Sequence, residues 1–161
     1  MHNAPAMEQT RRAFVANGCH ALTLAALSGV SGAFSACGGG GDMGPSSVNA
    51  MPRISASVAN GQVVMTIDAN SPLNGVGSAA LVQTSSGDLL VAHTGADTFS
   101  ARTAICTHEQ CTITGFENQR YTCPCHGSQY TTDGQVTRGP APRALRSFAT
   151  AFAGGTLTIT V

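Results

Sequence analysis

Lysine and tryptophan are both missing from this 161-residue chain. Without lysine, every fixed positive charge is one of eight arginines, and eight carboxylates bring the formal net charge to zero. That balance supplies no dense positive face, so nucleic acid is excluded as a partner. Charged residues make up 10% of the chain, against about 25% in ordinary soluble domains, so Thr, Ser, Gly, Gln and Asn must cover most of the surface. Long apolar runs are lacking too. Nothing reaches the roughly 20 unbroken apolar residues of a clear membrane-spanning helix, and the best candidate is short and N-terminal. Leucine is scarce while glycine and threonine are plentiful, which suits short strands and tight turns better than long helices. The length holds one modest domain and an appendage, not two full domains.

The appendage is an address. Thr10-Arg11-Arg12-Ala13-Phe14-Val15 precedes a mildly apolar segment from Cys19 to Phe34, broken by Gly29 and Gly32. Paired arginines ahead of a small-residue apolar run resemble a twin-arginine (Tat) export signal. The run ends at Phe34-Ser35-Ala36-Cys37, which resembles a lipobox whose cysteine becomes lipid-modified, although Phe34 stands where that pattern prefers leucine. Cleavage without lipid, or retention of residues 19–34 as a membrane anchor, fits the same segment. All three outcomes put the folded part on the outer side of the cytoplasmic membrane, in the periplasm or its equivalent. Residues 1–37 thus form the signal, and 38–52, rich in Gly, Pro and Ser, read as a flexible tether. Residues 53–161 form the domain.

Of six cysteines, Cys19 falls in the signal and Cys37 at the lipidation point. Cys106, Cys111, Cys123 and Cys125 remain, clustered within the domain. In an oxidising compartment such a cluster first suggests two disulfides. His108 and His126 suggest otherwise, because each lies beside the cysteines, in Cys106-Thr107-His108 and in Cys123-Pro124-Cys125-His126. Two Cys and two His also complete a tetrahedral zinc site. Zinc, however, leaves two cysteines unexplained and gives no reason for an export route that carries folded, cofactor-loaded proteins.

Cys106-Thr107-His108-Glu109-Gln110-Cys111 and Cys123-Pro124-Cys125-His126-Gly127-Ser128-Gln129-Tyr130 resemble the two cluster-binding loops of Rieske iron–sulfur proteins. They include the extra cysteine in each loop that marks the high-potential subgroup of the cytochrome bc-type complexes. The resemblance runs from about Ala79 to the C-terminus, mostly as pattern outside the loops. It implies one [2Fe–2S] cluster per chain, with Cys106 and Cys123 on one iron and His108 and His126 on the other. It implies a disulfide between Cys111 and Cys125. It also implies hydrogen bonds from Ser128 to a bridging sulfide and from Tyr130 to a cysteine sulfur, with Gly139-Pro140-Ala141-Pro142 as the Pro loop covering the cluster. Neutral imidazoles in place of two thiolates leave the oxidised site uncharged, which raises the potential into a range of about −150 to +300 mV. The two hydrogen-bond donors favour its upper half. Imidazole protons lost more readily on ferric iron would couple electron to proton uptake. No catalytic residue follows, and the domain alone is expected to carry electrons rather than make bonds.

The frame is expected to be all-β, of antiparallel sheets. Hairpins are predicted for Ile54–Ala59 with Val63–Ile67 through Asn60-Gly61, for Ala79–Gln83 with Leu89–His93, and for Phe148–Phe152 with Thr156–Val161 through Gly154-Gly155. Phe99–Ile105 leads into the first loop; Thr112–Phe116 and Gln119–Tyr121 precede the second, and Asp133-Gly134 makes a further turn. The family implies a small cluster-binding subdomain, here about residues 104–130, on a larger base. His93 reads as an ordinary surface or core histidine, and Arg138, Arg143 and Arg146 as either solvated charges or a docking patch for an acidic partner.

One departure stands out. Where quinol-oxidising relatives carry an aliphatic residue and a glycine, this chain has Glu109 and Gln110, and burying an unpaired carboxylate against a membrane cytochrome is costly. Two functional classes therefore stay open. One is a membrane-tethered one-electron carrier serving a periplasmic c-type cytochrome or a metalloenzyme, such as an arsenite-oxidase-like partner. The other is the iron–sulfur subunit of a quinol:cytochrome c reductase containing cytochrome b.

Overall fold

Twelve short strands and no helix make up the described part of the chain, residues 49–161 of a computed structural model. The export signal at 1–37, Cys37 with its lipidation, and the glycine run of the tether lie outside the described residues. In chain order the strands are β1 (Arg53–Ser55), β2 (Val58–Ala59), β3 (Gln62–Thr66), β4 (Ala79–Gln83), β5 (Leu89–Gly95) and β6 (Thr98–Thr103). They continue with β7 (Gly115–Glu117), β8 (Arg120–Thr122), β9 (Gln129–Thr131), β10 (Val136–Arg138), β11 (Ser147–Ala153) and β12 (Thr156–Thr160). No described helix is long and apolar enough to cross a membrane.

Eight strands form the base sheet in the order β1-β4-β5-β6-β11-β12-β3-β2. Its two edge strands, β1 and β2, are separated in sequence only by Ala56 and Ser57. At about 3.3–3.6 Å per residue, so short a connector forces the two edges together, and the sheet curls nearly into a barrel. The expected hairpin at Ile54–Ala59 is split by this geometry. Only Val58 and Ala59 pair back on β3, through Asn60-Gly61 with both residues at positive φ, whereas Arg53–Ser55 leave to pair with β4 in parallel. That one parallel pair departs from the purely antiparallel expectation; it arises because an edge strand entering from outside the hairpin finds the free edge of β4. The β4–β5 and β11–β12 hairpins form as expected.

The second sheet has the order β10-β9-β8-β7. The two sheets share β4 and β5 as a common wall. Val82, Leu89 and Val91 point into the base core with Val63, Phe99, Leu157 and Ile159. Leu81 and Leu90, directly opposite one another, point the other way, toward Cys106, Ile113, Tyr121, Cys123 and Tyr130. Strands buried on both faces need a nearly continuous apolar run, and Ala79–Val82 and Leu89–Ala92 provide it. His93 lies buried in the base, its ring stacked on Phe99 at 4.2 Å, with Nδ1 2.9 Å from the Leu73 carbonyl oxygen.

Residues 49–52, read from composition as the end of a free tether, are packed. Ala50 bridges Gly115, Met51 is buried and its N–H donates to Thr114 O at 2.8 Å, and Leu81 N–H donates to Pro52 O at 2.9 Å. The segment therefore stitches the second sheet to β4, its backbone groups supplying what its side-chain composition did not suggest. Leu90→Ala should lower unfolding stability by about 2–5 kcal/mol, because the vacated volume lies between two fixed sheets; urea denaturation of the wild-type and variant proteins measures it.

Candidate metal centre

Two loops meet at one end of the second sheet, and they are built alike. In the first, between β6 and β7, Cys106 N–H donates to Cys111 O at 2.9 Å and Gln110 N–H to Cys106 O at 3.0 Å. In the second, between β8 and β9, Cys123 N–H donates to Ser128 O at 2.9 Å and Gly127 N–H to Cys123 O at 3.0 Å. Each loop is a tight knuckle that buries its first cysteine and lifts a histidine to its rim. The fourth residue after that cysteine adopts positive φ in both, 57° at Gln110 and 70° at Gly127. Glycine takes that conformation freely; glutamine does not.

The sulfurs fall into two pairs with different fates. Cys111 and Cys125 form a disulfide joining the knuckles. A covalent clamp across so short a span is nominally worth about 3 kcal/mol. Cys106 and Cys123 remain free and buried. Burial alone pushes the Cys106 thiol up, but the Tyr130 hydroxyl, the His108 and Glu109 backbone N–H groups and the Cys123 thiol outweigh it and hold Cys106 below its ordinary value. Burial also pushes Cys123 up, and here the hydrogen-bonded, charge-bearing Cys106 adds to the rise. One thiolate is welcomed and a second is resisted. Two adjacent thiolates in a dry pocket need a bound cation to coexist.

His108 and His126 lie edge-to-face with ring centroids 4.8 Å apart, their side chains 29% and 46% exposed, so both rings reach solvent. Nδ1 of His108 is nevertheless buried and has no hydrogen-bond partner. A buried, unpartnered ring nitrogen two residues along the first knuckle from the buried Cys106 is a donor that a metal group could take up. The carboxylate of Glu109 spans the rings, 4.0 Å from His108 Nε2 and 3.8 Å from His126 Nδ1. Both distances are too long for hydrogen bonds, and the carboxylate, 61% exposed, acts on the rings only as a nearby, solvent-screened charge.

Three further contacts tie the site to its surroundings. The Tyr130 hydroxyl lies 3.3 Å from Cys106 Sγ, accepts from Thr107 N–H at 3.2 Å and lies 3.3 Å from Thr107 Oγ1. Ser128 Oγ accepts from Ala141 N–H at 3.1 Å, which fastens the segment Gly139–Pro142 over the second knuckle and leaves the serine's own hydrogen free to donate. Thr107 Oγ1 donates to Arg143 O at 2.8 Å. Sequence reasoning passed over Thr107 as a spacer; a hydroxyl between Cys106 and His108 was the available signal. It also took Glu109 only as a departure, since nothing in one sequence tells that a single carboxylate faces both rings.

A family model for the Rieske [2Fe–2S] domain matches residues 64–149, over half of the chain. The chain belongs to the Rieske [2Fe–2S] domain family. Among sequence relatives, the cytochrome b6-f complex iron–sulfur subunit of Prochlorococcus marinus (strain NATL1A) is 46% identical over 74 residues, 44% of this chain and 42% of the relative. A cytochrome b6-f complex iron–sulfur subunit of Nostoc sp. (strain PCC 7120) is 44% identical over 75 residues, 44% of this chain and 41% of the relative. The chain thus spans about two fifths of the length of the curated relatives it matches. The crystal structure of the cyanobacterial plasma membrane Rieske protein PetC3 from Synechocystis PCC 6803 superposes with a TM-score of 0.51 at 28% identity, over 60% of this chain and 99% of that one. The Rieske cofactor is a [2Fe–2S] cluster, and the donor set described above, two thiols and two imidazoles with one ring nitrogen orphaned, fits it.

The strain at Gln110 is directly measurable. A left-handed residue with a side chain costs about 1–2 kcal/mol, and glycine's looser unfolded chain offsets about 0.4–1 kcal/mol. Gln110→Gly in this Rieske domain should therefore raise stability by about 0.5–1 kcal/mol in urea denaturation, while Gly127→Ala in the other knuckle should lower it.

Proposed function

We propose that this Rieske protein is a one-electron carrier working outside the cytoplasmic membrane, tethered through its N-terminus. In this reading Cys106 and Cys123 hold one iron as thiolates, and His108 and His126 hold the other as neutral imidazoles. The observation that carries the proposal is the pairing of two buried free thiols with two half-exposed imidazoles at the tip of clamped knuckles. Such a site is sealed where the charge is held and open where electrons leave.

When bound, the cluster accepts and returns a single electron. The chain's own residues set the ease of that exchange. Tyr130, by donating to the Cys106 sulfur, and Ser128, by its free hydroxyl hydrogen, withdraw electron density and favour the reduced state. The disulfide and the segment over Ser128 hold water away from the buried side. Glu109 acts in the opposite sense, since a carboxylate facing both imidazoles disfavours an added negative charge. It also disfavours burial of this tip against an apolar membrane subunit, where an unpaired carboxylate loses its hydration. Glu109 therefore favours an exposed handoff to a soluble or peripheral redox protein. The relatives named as cytochrome b6-f subunits support the second reading, in which this chain is the iron–sulfur subunit of a quinol-oxidising complex. Export by a twin-arginine route and lipid attachment at Cys37 belong to the proposal, supported by the sequence alone.

A redox titration of the purified full-length protein, followed by electron paramagnetic resonance over a pH series, tests the proposal. A reversible one-electron couple in the upper half of the range of about −150 to +300 mV is the expected result, and absence of acid-labile sulfide sinks it. Tyr130→Phe and Ser128→Ala should each lower the potential, and Glu109→Gln should raise it. Loss of the signal in His108→Ala and His126→Ala checks the ligand assignment.

A further inference from the structure

A groove of about 530 Å³ runs beside the first knuckle, between Ile105, Thr107, His108 and Gln110 on one side and Arg143 and Arg146 on the other. We infer that this groove is the docking surface for an acidic face of the protein that takes the electron, a one-electron-accepting haem or copper protein. The inference rests on the proposed cluster between the two knuckles and names the kind of partner that site serves.

Charge is the first ground. The described part of this chain has few cations, yet two arginines lie within four residues on one wall. Among the described residues neither guanidinium has a carboxylate within 4.0 Å, whereas Arg102 is paired with Asp133 at 3.8 Å. Glu109 does not neutralise them: it makes no ion pair with either arginine, its carboxylate facing the two rings instead, and it is not part of the groove lining. Asp88 lines only the smaller recess that continues past Arg146.

Construction is the second ground. The wall bearing the arginines is fixed to the knuckle, since Arg143 O receives the Thr107 hydroxyl hydrogen at 2.8 Å. The Arg146 guanidinium is held 4.5 Å over the Phe148 ring, so part of its entropy is already lost before a partner arrives. Ile105, 39% exposed, supplies an apolar patch facing the charged rim, a mixture found in protein interfaces. Arginine also suits bidentate pairing with carboxylates better than lysine does.

Position is the third ground. Cys106 and His108 themselves line the groove, so a partner seated there stands against the electron's exit. One electron leaves the reduced cluster and one oxidised metal centre in the partner is reduced, with no bond made or broken.

The test uses the full-length holoprotein, reduced with ascorbate and mixed in a stopped-flow instrument with an acidic or a basic c-type cytochrome at several ionic strengths. The acidic cytochrome should be reduced faster, and its rate should fall as salt rises. Arg143→Gln with Arg146→Gln should slow it about ten-fold at low ionic strength, with little effect at high salt and with the paramagnetic signal of the reduced cluster retained. Arg53→Gln with Arg120→Gln removes the same net charge away from the groove and should change the rate little. Faster reduction of the basic cytochrome, an unchanged rate in the groove variant, or equal slowing in the control variant each overturns the inference. Absence of the cluster signal from the wild-type protein instead sinks the proposed function, and the two failures are thereby told apart.

Discussion

Two buried thiols that cannot both be comfortable as thiolates dominate this end of the molecule. Cys106 is helped toward its charged form by Tyr130 and by backbone N–H groups, and that charge in turn penalises Cys123. Left to itself, a protein relieves such a conflict by separating the sulfurs or oxidising them to each other. The fold instead holds both cysteines in place, because both knuckles are pinned from behind. The backbone bonds of Cys106 and Cys123 close each turn, the Cys111–Cys125 disulfide takes up the oxidisable pair, and β4 and β5 form a rigid floor through Leu81 and Leu90. The conflict is preserved for a metal group to resolve, which is how a site becomes preorganised for charge it does not itself carry.

The all-β class and most of the hairpins were legible because turn chemistry is local. Asn60-Gly61 and Gly154-Gly155 have positive φ and little else to do, and the strands beside them alternate. The two knuckles were legible for the same reason: each is a contiguous run in which cysteine and histidine keep fixed spacing. Long-range pairing was not legible. Nothing in Arg53–Ser55 announces that it will leave its neighbours for the edge of β4, and nothing in Asn49–Pro52, short and proline-bearing, announces that its backbone will complete the join between two sheets. Those outcomes depend on which edges the rest of the fold leaves free, a property of the whole sheet and not of the segment. The convergence of Glu109 on both imidazoles and of Thr107 on Tyr130 and Arg143 was hidden likewise, since each partner comes from a different stretch of chain.

The asymmetry of burial across the site separates the two metal chemistries that a Cys2His2 set permits. A single zinc ion draws four ligands to comparable distances of about 2.0–2.3 Å, and a structural site gains from enclosing all four alike. Here the cysteines are sealed in the core while the imidazoles are partly exposed, and the carboxylate of Glu109 faces the rings from the solvent side. A binuclear cluster makes sense of that gradient, and the proposed assignment puts the thiolate-held iron inside and the imidazole-held iron at the surface. On that proposed assignment the anionic ligands lie where tyrosine, serine and backbone donors can temper them, and the neutral ligands lie where an electron would cross to another protein. The proposed roles of a carboxylate beside the imidazoles and of a pair of arginines lining the groove with His108 follow the same logic. In those roles they would act on the approach of a partner and on the energy of the exchange without entering the packed core, where an unpaired charge could not be sustained.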